Sequence, residues 1–83
     1  MKQIVFTRVA QRVLERMPSN TSRLILRKIR QHADDPSSLA RNVAKLQGRE
    51  GYRLRVGDWR VIFDEDGSIL NILDVGPRGG VYD

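Results

Sequence analysis

Hydrophobic and polar residues alternate strictly from Tyr52 to Val56, where Tyr52, Leu54 and Val56 are separated by Arg53 and Arg55. A period of two belongs to a strand with one buried face. Gly57-Asp58 follows as a two-residue turn, with Gly at the first central position as a type II′ geometry requires. That turn predicts the register: Val56 faces Trp59, Arg55 faces Arg60 and Leu54 faces Val61. Tyr52, Leu54, Val56, Trp59, Val61 and Phe63 then share one face, and Arg53, Arg55 and Arg60 share the other. A second turn is expected over Asp64-Glu65-Asp66-Gly67-Ser68. The next strand, Ile69-Leu70-Asn71-Ile72-Leu73-Asp74-Val75, is apolar on both faces, as a central strand is. Its register stays open, because that turn can use two or four residues.

Upstream, Ile4-Val5-Phe6 reads as a short edge strand. Thr7 is placed to cap a helix in which Val9, Ala10, Val13, Leu14 and Met17 recur at helical spacing, and Pro18 ends it. Ser19-Asn20-Thr21-Ser22 offers caps for a second helix reaching about Ala33, with Leu24, Ile25, Ile29 and Ala33 on its apolar stripe. Asp34-Asp35-Pro36 stops that helix, so residues 8–34 form a helical hairpin. Residues 36–50 read as a polar connection anchored by Leu39, Val43 and Leu46, with room for one helical turn. Gly76 to Gly80 is a loop, and Val81-Tyr82-Asp83 is a candidate final strand. The order predicts an α+β domain: an N-terminal strand and two-helix hairpin on one face of an antiparallel sheet of about four strands. The arginine face is left open.

Eighty-three residues predict a single domain, spanning 1–83, with a modest core. The net charge of +5 and pI near 10.4 favour a polyanionic partner. The absence of cysteine excludes disulfides, thiolate chemistry and cysteine-ligated zinc. Apolar runs are far too short for a membrane helix, and the first residues lack a secretion signal, so the cytoplasm is the expected location. The acidic turn at Asp64 to Gly67 lacks the remaining ligands of a calcium loop, and Gly79-Gly80 lacks the remainder of a phosphate loop. Neither a metal nor a cofactor is expected.

Like charges directly opposed across a ladder destabilise a sheet. A fold therefore gains nothing from gathering Arg53, Arg55 and Arg60, whereas an anionic ligand does. The plain alternative is a solvated polar face. Trp59 falls on the core face and reads as packing rather than as a base-stacking platform. His32, the lone histidine, lies near the Ile25 and Ile29 stripe and reads as structural.

Lys45-Leu46-Gln47-Gly48, followed by the Tyr52 to Phe63 hairpin, resembles the RelE/ParE toxin superfamily. The ending Val75-Gly76-Pro77-Arg78-Gly79-Gly80-Val81-Tyr82 is similar to that family's terminus. The specific match covers roughly residues 43–83. The resemblance implies the toxin of a type II toxin–antitoxin pair, held silent by a cognate antitoxin. RelE-like members cut mRNA in the ribosomal A site, while ParE-like members share the fold and poison DNA gyrase. A third implied reading is a degenerate member that binds only antitoxin and nucleic acid. By position, the resemblance implies Arg53, Arg55, Arg60, Arg78 and Tyr82 as the RelE-type catalytic set, with Lys45 and Arg49 as candidate RNA contacts.

The implied reaction is attack of an RNA 2′-hydroxyl on the adjacent phosphate, leaving a 2′,3′-cyclic phosphate and a 5′-hydroxyl. It needs a base, an acid and positive charge on the phosphorane oxygens. Arginine suits the last role, because its planar fork matches phosphate, and it suits the first poorly, because it stays protonated. Some relatives carry lysine where this chain has Arg53 and Arg55, and often His-Arg-Arg where it has Pro77-Arg78-Gly79. Candidates for the base are thus Asp83, Glu50, Lys45, Tyr82 and a ribosomal group.

Overall fold

The computed structural model describes residues 2–78, which form β1 (Gln3–Phe6), α1 (Arg8–Arg16), α2 (Ser19–Asp34), a 3₁₀ segment (Pro36–Asn42), β2 (Val43–Lys45), β3 (Tyr52–Val56), β4 (Trp59–Asp66) and β5 (Ile69–Pro77). The strands make one sheet in the order β1-β5-β4-β3-β2. The fold is α+β, as the element order predicts. The sheet has five strands among the described residues, against an expectation of about four, and it is mixed: β1 runs parallel to β5. The added strand, β2, arises inside the segment read as a connection. Its three residues are too few to display an alternation, and Val43 is fixed by standing opposite Leu54.

Thr7 joins the sheet to the helices. Its hydroxyl oxygen accepts from the Ala10 N–H at 3.1 Å, its hydroxyl donates to the Leu73 carbonyl at 2.7 Å, and its own N–H donates to the Ile72 carbonyl at 3.0 Å. One residue therefore caps α1 and extends the β1–β5 pairing. Pro18 separates the helices as expected, but α2 starts at Ser19 with Pro18 at its cap position and no side-chain capping bond. The predicted polar cap is displaced because Ser19 already lies within the helix.

The core lies between the helices and one sheet face. Ala10, Leu14, Ile25, Ile29 and Ala33 pack there against Leu54, Val56, Val61, Phe63, Leu70, Ile72 and Val75. Leu24, expected on the buried stripe of α2, is instead exposed. The turn between β4 and β5 uses only Gly67-Ser68, so β4 runs on to Asp66. β5 is central, flanked by β1 and β4. A bulge opposite Ile62 and Phe63 then shifts its register: Phe63 faces Ile72, whereas Ile62 faces Asp74. The candidate strand at residues 81–83 lies outside the described residues.

Candidate phosphate-binding face

The hairpin register is the one that the two-residue turn predicts, with Tyr52 opposite Phe63, Leu54 opposite Val61, Arg55 opposite Arg60 and Val56 opposite Trp59. Gly57 has φ of +58°, while no described non-glycine residue has positive φ. A positive φ at the first central position alone is the sign pattern of a type II′ turn. Tyr52 and Trp59 pack against the core, so Arg53, Arg55 and Arg60 face away from the helices. Arg55 is exposed, and Arg53 and Arg60 are half-buried.

Arg78 joins this group through the backbone. Gly76 stands opposite Arg60 and Pro77 opposite Trp59, and the Arg78 N–H donates to the Asp58 carbonyl at 2.7 Å. The end of β5 is thereby tied to the tip of the arginine hairpin. Residues far apart in sequence, Arg53 and Arg78, thus belong to one three-strand patch. Tyr82 and Asp83 lie outside the described residues.

Lys45 does not join the patch. It stands opposite Tyr52, and so lies on the face that Tyr52 shares with the core, while Ala44 stands opposite Arg53. Arg49 does approach the arginine face. It borders a depression of about 160 Å³ together with Ile62, Leu73, Asp74 and Val9. The loop that carries it folds back through a bond from the Leu46 N–H to the Gly51 carbonyl at 3.0 Å. Leu46 is thereby buried against Ile62, with Leu73 packed beside them. The arginine face is therefore only partly open: a small apolar plug occupies its middle.

Asp74 was not singled out by sequence. It stands opposite Ile62 on the arginine side, is half-buried, and its carboxylate accepts from the Val75 N–H at 2.8 Å. Only the bulge in β5 reveals which way it faces. Asp64 and Asn71 pair on the same side, the Asn71 amide donating to the Asp64 carboxylate at 2.8 Å. His32 is remote from this face. It is buried under the helices, where its Nε2 lies 3.3 Å from Glu65 and its ring lies against Phe63. The described residues contain no cluster of His, Cys, Asp or Glu able to hold a metal ion. No helix among them is long and apolar enough to cross a membrane.

This fold, an α+β sheet with one face covered by helices, is shared by chains in solved toxin–antitoxin complexes. A chain in the archaeal RelE–RelB complex from Pyrococcus horikoshii superposes with a TM-score of 0.79 at 26% identity, covering 96% of this chain and 98% of that one. A chain in the intact RelBE toxin–antitoxin complex of E. coli gives 0.74 at 17% identity, covering 93% and 96%. A chain in the RelB–RelE complex from Methanococcus jannaschii gives 0.73 at 21% identity, covering 95% of each. No curated protein sequence matches this chain. The model of the ParE toxin of type II toxin–antitoxin systems matches residues 4–82, and the chain belongs to that family within the RelE/ParE superfamily.

Proposed function

We propose that this toxin is a ribosome-dependent mRNA endonuclease that inhibits translation by cutting in the A site. The observation that carries the reading is the Arg55–Arg60 pair, two guanidinium groups opposed on an exposed ladder, with Arg53 on the same strand and Arg78 tied to the turn beside them. Cβ atoms in directly opposed positions lie about 5 Å apart, so both forks reach one phosphodiester. In the proposed reaction a 2′-hydroxyl loses its proton and its oxygen bonds to phosphorus. The bond from phosphorus to the 5′-oxygen breaks, and that oxygen takes up a proton. Arg53, Arg55, Arg60 and Arg78 stabilise the charge that builds on the phosphorane oxygens. Tyr82 completes the set by its position in the family terminus, and Arg49 extends the RNA contact.

The proton acceptor is drawn from Asp74, Glu50, Tyr82, Asp83 or a group on the ribosome, Lys45 being set aside because it lies on the other face of the sheet. Asp74 enters this set because it is a carboxylate on the arginine side of the sheet. The protein acts as one domain without metal or cofactor, and a cognate antitoxin silences it, as the RelB-containing complexes of its structural neighbours suggest. Cytoplasmic action follows from a ribosomal target.

The family match to ParE favours a second reading, in which the toxin binds DNA gyrase and performs no chemistry of its own. Mapping mRNA 5′ ends after expression separates the two. Codon-phased cuts in translated mRNA support the nuclease, and DNA damage with intact mRNA supports the gyrase poison. Arg60→Ala or Arg78→Ala should relieve toxicity while the protein stays folded.

A further inference from the structure

The excess positive charge does not sit at the arginine hairpin. Residues 8–34 hold seven Lys and Arg side chains against two acids, Glu15 and Asp34, whereas the remainder holds eight basic and eight acidic residues. The net charge of +5 therefore belongs wholly to the helix pair. Arg8, Arg12 and Arg16 recur every fourth residue along α1, and Arg23, Arg27 and Arg30 recur at intervals of four and three along α2. All six are exposed. At 3.6 residues per turn each set forms one stripe, turned away from the buried Ala10 and Leu14 or Ile25 and Ile29, with about 4.5 to 6 Å of rise between successive members.

These stripes do nothing for helix stability. Like charges at i and i+4 repel, and Arg8 sits in the first turn of α1, where the helix dipole favours an acid. The ion pairs Lys2–Glu65 and His32–Glu65 involve none of the six, and no described carboxylate pairs with any of them.

The chemistry of the stripes selects the partner. Their members are all guanidinium groups, and the exposed large apolar residues of the two helices, Val9 and Leu24, lie at the stripe edges, whereas protein interfaces place aromatic and aliphatic anchors at their centre and deplete charge there. Neither helix contains Phe, Tyr or Trp. Binders of single strands need such rings as stacking platforms. Paired RNA needs only contacts to its backbone and shape. The helices also cover the sheet face opposite the arginine hairpin, in a body of 30 × 28 × 24 Å. The helix stripes and the arginine hairpin are thus distinct basic surfaces, which approach each other where Val9 of α1 borders the depression beside Arg49 and Asp74.

We propose that the outer face of the α1–α2 pair is a second RNA-binding surface that takes the phosphate backbone of base-paired RNA, while the sheet face holds the strand to be cut. This rests on the RNA-directed reading of the sheet face. The test uses the full chain and a blunt RNA duplex of about 20 base pairs, with affinity measured across salt concentration. Replacing Arg12, Arg16, Arg23 and Arg27 together by Gln should lower the log–log salt slope by about 3 and weaken binding at least tenfold, with an unchanged circular dichroism spectrum. Arg60→Ala should leave the duplex slope within about one of wild type. An unchanged slope in the quadruple variant overturns the proposal, as does loss of duplex binding in Arg60→Ala alone. Equal binding of duplex and polyglutamate, lost equally in the quadruple variant, also overturns it, since that describes an unselective sink for anions. Persistent toxicity in Arg60→Ala and Arg78→Ala counts against the nuclease reading and leaves the duplex slope untouched, so the two failures are distinguishable.

Discussion

Arg55 on β3 stands directly opposite Arg60 on β4, on the face of the sheet that the helices leave uncovered. An opposed pair of like charges lowers the stability of the ladder by roughly 0.2–1 kcal/mol. Arg55→Thr should therefore stabilise the protein by an amount in that range, because Thr also suits a strand. The same substitution should sharply reduce toxicity. Urea unfolding together with growth inhibition would show the opposite signs, and a variant that loses stability along with toxicity would contradict the argument.

Leu46 covers Ile62 in the middle of the arginine face, and both are nearly fully buried. Gly51 closes the loop between them at φ of +114°, where an added Cβ would lie 3.0 Å from the Phe63 carbonyl oxygen and 3.3 Å from Leu46 Cδ1. Leu46→Ala should lower stability by about 2 kcal/mol, at the low end for a buried leucine because the cluster is small. Gly51→Ala should lower it by more than about 1 kcal/mol through backbone strain and the close carbonyl. Hydrogen exchange at the Leu46 amide reports both, since its bond to the Gly51 carbonyl closes the loop that carries Arg49.

Asp74 supplies a carboxylate on the arginine side of β5. If it accepts the proton of the 2′-hydroxyl, Asp74→Asn should slow single-turnover cleavage of ribosome-bound mRNA by about a hundredfold or more, with ribosome binding kept. The amide still accepts from the Val75 N–H, so the local backbone stays in place. Wild-type cleavage by the Asn variant removes Asp74 from the set of bases.

The hairpin was legible in the sequence because a two-residue turn fixes register and strict alternation fixes faces. Three like charges on one side then stood out. The helices were legible from apolar spacing, Thr7 and Pro18. Three features were not. β2 is too short to carry a period, and its place at the sheet edge depends on pairing with β3. Asp74 was hidden because a bulge in β5 breaks the alternation that would have assigned its face. The contact between His32 and Glu65 joins residues 33 positions apart, and no local pattern encodes it. The charge balance of the helices was open to simple counting, but its meaning depends on knowing that they and the arginine hairpin occupy opposite sides of the sheet.

His32 offers the last test, because its environment is structural. The residue is 5% exposed, its ring centroid lies 4.9 Å from that of Phe63, and its Nε2 lies 3.3 Å from a Glu65 carboxylate that also pairs with Lys2 at 3.3 Å. Its Nδ1 is buried with no hydrogen-bond partner among the described residues. Truncation to alanine opens a hole against Phe63 and should lower stability by about 2 kcal/mol or more. His32→Leu keeps most of the volume and removes the unpaired nitrogen, so it should fall within about 1 kcal/mol of wild type. Glu65 is not stranded in either variant, since Lys2 remains beside it. Toxicity should persist in both at temperatures where they are folded, because the ring sits under the helices and the arginines lie on the other side of the sheet. A folded His32→Leu protein without toxicity would show that the histidine takes part in the chemistry.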